Sequence, residues 1–344
     1  MLPTMSGITP APPIAPLADD RPRPRVSVML PTYRPDALLC VALRSVLLQA
    51  LPTADMQICI VDDGSPAGLI EQFVRSVDPA GRIDIVSHGE RLGIGGNWNR
   101  AISLARGRLI HLLHQDDWVM PGFYARLLRG FDRAPRIGMA FSRTRIVDGA
   151  DRTIKSTSQV RWTAGVLDGW LPRIAERQRV QTPAVIVPRT TYEMLGGYRT
   201  DLRQALDWEM WVRIAAHLPV WYEPRRLAVY RRHSANETAR LMAAGASWPD
   251  VAAAIRINSH WLPPASRDRI VTTSVRWYVS SALRTVEGLM AAGATGQAID
   301  TLAKIPDLIR LMPGEPLPPR VRRRFSALAA RAGRTGGSRI LATP

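Results

Sequence analysis

A chain whose short apolar runs each end in a polar or acidic turn, with an amphipathic stretch between one run and the next, has few folds open to it. Here Val26–Leu30 enters Pro31-Thr32, Gln57–Val61 ends in Asp62-Asp63-Gly64-Ser65, and Arg108–Leu113 ends in His114-Gln115-Asp116-Asp117. Ile83–Val86 is a further run. Helices are predicted from Pro35-Asp36 through Gln49, over Leu69–Val77 and over Asn97–Arg106, the last closed by Gly107 at a C-cap position. Strand alternating with helix across short connections predicts an α/β fold, a mostly parallel sheet flanked by helices. Ligands of such sheets sit at the carboxyl ends of the strands. Those ends here carry Thr32, Asp62-Asp63 and Asp116-Asp117.

Farther along, Gly138–Trp170 is strand-like and irregular, Gln181–Pro188 reads as a strand, and Thr191–Leu195 as a short helix before Gly196-Gly197. Leu206–His217 is a strong helix candidate. After Thr238 the texture turns Ala-rich and helical: Val251–Ile257, Val271–Ala291 and Thr295–Leu311. The predicted organisation is a disordered Pro-rich leader over 1–24, an α/β domain over 25–238, a helical extension over 239–315 and a basic tail over 316–344.

At 46% hydrophobic and 22% charged residues the chain can form a core. It contains no run of about 18 apolar residues and no basic-then-apolar leader, which predicts a cytoplasmic protein. Cys40 and Cys59 lie inside apolar runs and are expected as free thiols. Asn236-Glu237-Thr238 fits a glycosylation pattern that carries no meaning without secretion. The net charge of +17 raises nucleic acid, membrane surface or phosphate-bearing ligands as partners. All but two of the 46 basic residues are arginine, a skew that looks like coding bias, and seven arginines follow Glu315 with no acid among them.

Asp62-Asp63-Gly64-Ser65 is open to two readings: a turn whose Asp and Ser cap the next helix, or a carboxylate that accepts from a nucleobase or ribose. Asp116-Asp117 repeats the choice. Two adjacent carboxylates repel, so a site keeping both ionised supplies a cation, and hard oxygen ligands favour Mg²⁺ or Mn²⁺. Gly93-Ile94-Gly95-Gly96-Asn97 is neither a dinucleotide fingerprint nor a P-loop. On the Leu206–His217 helix, Asp207 and Arg213 stand six apart, so an i,i+4 salt bridge between them does not explain either.

In order and spacing, these segments resemble the inverting family 2 glycosyltransferases of the GT-A fold. The resemblance is carried by Val28–Tyr33, Ile60–Ser65, Gly93, Asn99–Ile102, Ala105-Arg106-Gly107, Leu113–Asp117 with Pro121, Gly196-Gly197-Tyr198, Leu206–Arg213 and Tyr230–His233. It spans about residues 25–235 and leaves the C-terminal helices uncovered. The resemblance implies that Pro31, Thr32, Tyr33 and Asp63 hold the base of a nucleotide-diphosphate sugar, UDP- or dTDP-linked, with Gly93 and Asn99 also on the donor side. It implies that Asp116 and Asp117 face a divalent cation, Mn²⁺ or Mg²⁺, and the diphosphate. Asp207 matches the general base that activates the acceptor hydroxyl, and His233 lies near the diphosphate or metal. His114 stands where the family has the first acid of its Asp-x-Asp motif, and Leu206 where it commonly has Glu.

The implied function is a metal-dependent, inverting transfer to a hydroxyl acceptor, lipid-linked or otherwise, in surface polysaccharide, glycolipid or glycoprotein assembly. Other classes fit fewer features. A nucleotidyltransferase needs a glycine-rich loop after the first strand, and Pro31–Pro35 has no glycine. A non-catalytic nucleotide-sugar-binding protein is suggested only by His114 and Leu206. Specific nucleic-acid binding is suggested by charge alone, without a recognition motif. The arginine tail offers a peripheral contact with the anionic inner face of a membrane.

Overall fold

The computed structural model describes residues 9–18, 21–49, 51–233, 247–314 and 317–335. They fall into two compact units, one built from the chain up to Trp170 with Arg179–His233, the other from Leu171–Gln178 with the chain from Ser234 on.

In the first unit β1 (Val26–Thr32), α1 (Leu38–Leu47), β2 (Met56–Asp62), α2 (Leu69–Val77), β3 (Ile83–Ser87), α3 (Gly93–Leu104) and β4 (Leu109–Leu112) follow the predicted alternation. Then come β5 (Trp118–Val119), α4 (Phe123–Arg133), β6 (Met139–Val147), β7 (Thr153–Ser156), β8 (Gly165–Val166) and α5 (Trp170–Ala175), most of which belongs to the second unit. β9 (Val185–Pro188), α6 (Arg189–Leu195), α7 (Leu206–His217) and β10 (Val220–Arg231) complete it. The strands form one sheet in the order β3-β2-β1-β4-β9-β6-β10-β5, with β7 on β6 and β8 on β10. β3, β2, β1 and β4 are mutually parallel, with Thr32 opposite Asp62. β9 runs antiparallel to both β4 and β6, so the sheet is mixed beyond β4. Its core is the apolar interior of the parallel strands, Val28, Leu30, Ile58 and Ile60, under Leu39, Leu43 and Val46 of α1.

Three expectations are corrected here. Helix α3 begins at Gly93, four residues before the expected start, and its C-cap is Ala105. Gly107 instead lies against β1: a Cβ there would stand 2.4 Å from the Ser27 backbone nitrogen. Its own N–H donates to Ser27 Oγ at 2.7 Å, so what this position requires is close approach of two strands. The leader was expected to be disordered, yet residues 9–18 pack on the first unit. Ile14 is buried, and the carbonyls of Thr9, Pro12 and Ala15 accept from Arg199, the Gly197 N–H and Arg189. A proline-rich run leaves its carbonyls unpaired within itself, and buried arginines need such acceptors.

The second unit holds α8 (Ser247–Ser259), α9 (Pro264–Ala291), α10 (Thr295–Ile309) and α11 (Pro319–Thr335). Within the segment expected as a basic tail, α11 turns Phe325, Leu328 and Ala332 inward and leaves Arg320, Arg322 and Arg323 exposed. Gln178 N–H donates to Tyr278 Oη at 3.2 Å, which ties the 171–178 segment to α9. Among the described residues no helix is long and apolar enough to cross a membrane. The Asn236–Thr238 pattern, Arg339 and the expected boundary at 238 lie outside the described residues.

Candidate active site

The carboxyl ends of β1, β2 and β4 bring the expected residues to one rim. Asp62 and Asp63 divide the two readings of their turn between them. Asp62 accepts from the Ser65 N–H at 3.0 Å and from Ser65 Oγ at 2.5 Å, a local turn cap. Asp63, buried, reaches across to accept from the N–H groups of Leu92 and Gly93 at 2.6 and 3.0 Å. It therefore caps α3 from the turn after β2, satisfying donors that the helix itself leaves free. Pro31 and Thr32 are buried, and the Thr32 hydroxyl donates to the Leu30 carbonyl at 3.0 Å. Tyr33 is half-exposed, and the Arg91 guanidinium lies 3.9 Å over its ring, next to Asp63. Gln115 pairs with the Tyr33 backbone in both directions, at 2.9 and 3.3 Å, joining the loops after β1 and β4.

His114, Asp116 and Asp117 converge: one donor atom from each lies within 4.8 Å of the others. Asp117 is fully buried, and its Oδ1 accepts from the Arg231 N–H at 2.9 Å. Its Oδ2 stands 3.3 Å from His114 Nδ1 but off hydrogen-bond alignment, and both that oxygen and His114 Nε2 are buried without a hydrogen-bond partner. Asp116 Oδ2 meets His233 Nε2 at 3.1 Å. A buried, unpartnered carboxylate oxygen beside a second carboxylate and an imidazole is a donor set that fits a divalent cation.

Burial, then the charge of Asp116, push the Asp117 carboxyl up to about 6, against the pull of His114 and the Arg231 N–H. Burial opposes charge on the His114 ring, yet Asp117 beside it, with Asp116 and Asp207, more than offsets this and raises its pKa. His233 is raised by its bond to Asp116.

Asp207 sits in the first turn of α7, where a negative charge is favoured by the helix dipole. Its Oδ1 accepts from the Trp208 N–H at 2.6 Å, and the Thr182 hydroxyl donates to Oδ2 at 3.4 Å. Its charge adds to those of Asp117 and Asp116 in raising the His114 pKa, which couples base candidate and acidic motif electrostatically. A ladder of rings links them: His114 stacks on Trp98 at 4.8 Å, Trp98 meets Tyr198 edge-on at 4.9 Å, and Tyr198 meets Trp211 of α7 at 6.1 Å.

Other motif residues do structural work. Asn99 donates to the Tyr198 carbonyl at 2.8 Å and accepts from the Tyr198 N–H at 2.7 Å, which spends its amide on the Gly196–Tyr198 turn. A Cβ at Gly197 would meet that amide at 2.3 Å. Arg213 pairs with Glu209, one turn before it, at 2.8 and 3.0 Å and donates to the carbonyls of Leu195 and Gly197. The i,i+4 bridge ruled out between Asp207 and Arg213 thus exists with Glu209 as its acid.

Four residues given no role from sequence belong to the site: Trp98, Arg91, Gln115 and Arg231. Arg231 is buried, donates to the Asp116 carbonyl at 3.1 Å, pairs with Asp151 and lies 4.7 Å over the Trp118 ring. Their signal was position alone, each within or beside a motif segment.

A family model described as glycosyl transferase family 2 matches residues 27–206. An uncharacterized protein of Mycobacterium tuberculosis is 31% identical over 233 residues, 64% of this chain and 71% of that protein. Chondroitin synthase of Escherichia coli is 21% identical over 197 residues, 56% of this chain but 26% of its own length. Among solved structures, TarS 1–349 of S. aureus in complex with UDP-GlcNAc superposes with a TM-score of 0.66 at 16% identity, covering 90% of this chain and 88% of that one.

Proposed function

The chain belongs to glycosyl transferase family 2 and has the GT-A fold, and on that premise we propose that this glycosyltransferase moves a sugar from a nucleoside-diphosphate donor to a hydroxyl acceptor with inversion. The convergence of His114, Asp116 and Asp117 past the end of β4, with the Asp207 charge acting on the His114 ring, carries the proposal. The donor is a UDP- or dTDP-sugar, its base against Pro31, Thr32, Tyr33 and Asp63 with Arg91 as a wall; the binding of UDP-GlcNAc by TarS supports this choice. Gly93 enters through its N–H on Asp63, which shapes that wall.

Asp116, Asp117 and His114 would hold Mn²⁺ or Mg²⁺, and such an ion supplies countercharge for a departing diphosphate. Arg231 holds Asp117 and the Asp116 backbone in place, and His233 orients the Asp116 carboxylate. Asp207 takes the proton of the acceptor hydroxyl as that oxygen bonds to the anomeric carbon and the bond to the diphosphate breaks. The acceptor is an oligosaccharide or lipid-linked hydroxyl in surface-glycan assembly, reached from the cytoplasmic side with the arginine face of α11 against the membrane.

A panel of nucleotide sugars, each with Mn²⁺ or Mg²⁺ and read by released nucleoside diphosphate, tests this reading. Turnover with one donor, abolished by chelator and by Asp116→Ala in a folded protein, is expected. Full turnover in chelator would remove the metal from the mechanism.

A further inference from the structure

We propose that Thr182 is a positioning residue for the reaction, its hydroxyl fixing the orientation of the Asp207 carboxylate. The inference rests on the reading of Asp207 as the general base given above and adds the group that aims it. Thr182 is buried and opens a 3₁₀ turn, Thr182–Ala184, that leads into β9. A threonine at a turn ordinarily spends its hydroxyl on backbone a few residues away. This one reaches Asp207, 25 residues on, and donates to Oδ2 at 3.4 Å. The bond is long, as bonds to catalytic groups often are until substrate is bound. Oδ1 accepts from the Trp208 N–H at 2.6 Å, and a donor on each oxygen sets the plane of the carboxylate.

The turn that carries this hydroxyl is pinned by polar groups of the core. The Pro183 carbonyl lies 3.0 Å from His111 Nε2, and His111 Nδ1 lies 2.9 Å from Tyr124 Oη. A carbonyl only accepts, so the His111 proton sits on Nε2. Burial holds the pKa of this ring down at about 3, which keeps it neutral, and Nδ1 then accepts from the Tyr124 hydroxyl. Both side chains are fully buried, on α4 and β4, and every donor and acceptor between Tyr124 and Pro183 is used. That chain gives the turn one position against β4, and Thr182 passes it on to Asp207.

The consequence lies in rate and not in binding. A general base must present its oxygen to the acceptor proton within hydrogen-bond reach, so the aim of the carboxylate counts only as the hydroxyl attacks. Thr182 belongs neither to the nucleobase rim after β1 and β2 nor to the acidic motif after β4, so losing its hydroxyl should spare the donor.

Steady-state kinetics of full-length variants test this, using the nucleotide sugar that the panel selects, with UDP binding measured alongside. Thr182→Val keeps the shape and removes the donor, so kcat should fall on the order of 10- to 100-fold. The KM for the nucleotide sugar and the affinity for UDP should stay near wild type, and Thr182→Ser should restore most of kcat. Added to Asp207→Asn, the Thr182→Val change should cost little more, because the carboxylate it aims is gone. Wild-type kcat in Thr182→Val beside a slow Asp207→Asn overturns the inference and leaves the base standing. A raised donor KM at unchanged kcat overturns it too, making Thr182 a donor contact, as does a Thr182→Ser as slow as Thr182→Val. An Asp207→Asn as fast as wild type, or turnover of no nucleotide sugar at all, removes the base and the inference with it. Should Thr182→Val fail to fold, Thr182→Ala carries the same expectations.

Discussion

Glu209 and Arg213 are each 1% exposed, and neither charge is tolerable there without the other. Asp207, two residues earlier on the same helix, is partly exposed, and its charge acts on His114 of the acidic motif. The two acids should therefore separate by experiment. Glu209→Ala is expected to lower stability by about 3–5 kcal/mol in chemical denaturation. Asp207→Asn should leave the denaturation midpoint nearly unmoved while transfer falls roughly 10²–10⁴-fold and donor affinity changes little. Loss of donor affinity in Asp207→Asn would place Asp207 in the binding site, and Glu209 could not take over as base because Arg213 occupies both its oxygens. The sequence marked Asp207, Glu209 and Arg213 as a group but not who pairs with whom. Asn99 was legible as a motif residue too, yet its job is a contact with Tyr198, 99 residues on, that no local pattern encodes.

At the scale of elements, α2 and α7 have the bounds predicted for them: α2 buries one face through Ile70 and Val74, and α7 is buried almost all round from Trp208 to Ile214. The start of α3 was hidden. A Gly93–Gly96 run looks like loop, and the cap that makes it helix comes from Asp63, just past the end of β2. Strand β9 was legible within Gln181–Pro188, but its antiparallel direction was not, since strand direction is decided by the path of the chain between elements. Helix α11 shows what structure adds to charge counting. Its apolar side is spent within its own unit, and Arg324 pairs with Glu287 of α9, so its exposed arginines can offer electrostatic attraction without insertion. Full-length protein should co-sediment with anionic vesicles at low salt, and the triple variant Arg320→Glu, Arg322→Glu, Arg323→Glu should not, each arginine contributing about 1 kcal/mol. Equal sedimentation of the two would take α11 out of the membrane contact, and binding to neutral vesicles would do the same.

For the molecule as a whole, the family match begins at residue 27, but the first unit does not. Thr9, Pro12 and Ala15 complete the partner sets of Arg199, Gly197 and Arg189, and Ile14 closes over them. Removing residues 1–18 strands polar groups on two buried guanidiniums and one N–H, and should lower stability by about 2–4 kcal/mol. Denaturant titration of the shortened and complete chains measures it, and coincident curves would show the segment to be ornamental. The arrangement has an evolutionary side. Arg189 and Arg199 lie within the matched region, and one guanidinium nitrogen of each is met by a stretch of chain outside it. Such a stretch can change its side chains and still supply the three carbonyls at those places, so backbone, which mutation cannot alter, stands in for side chains that it can.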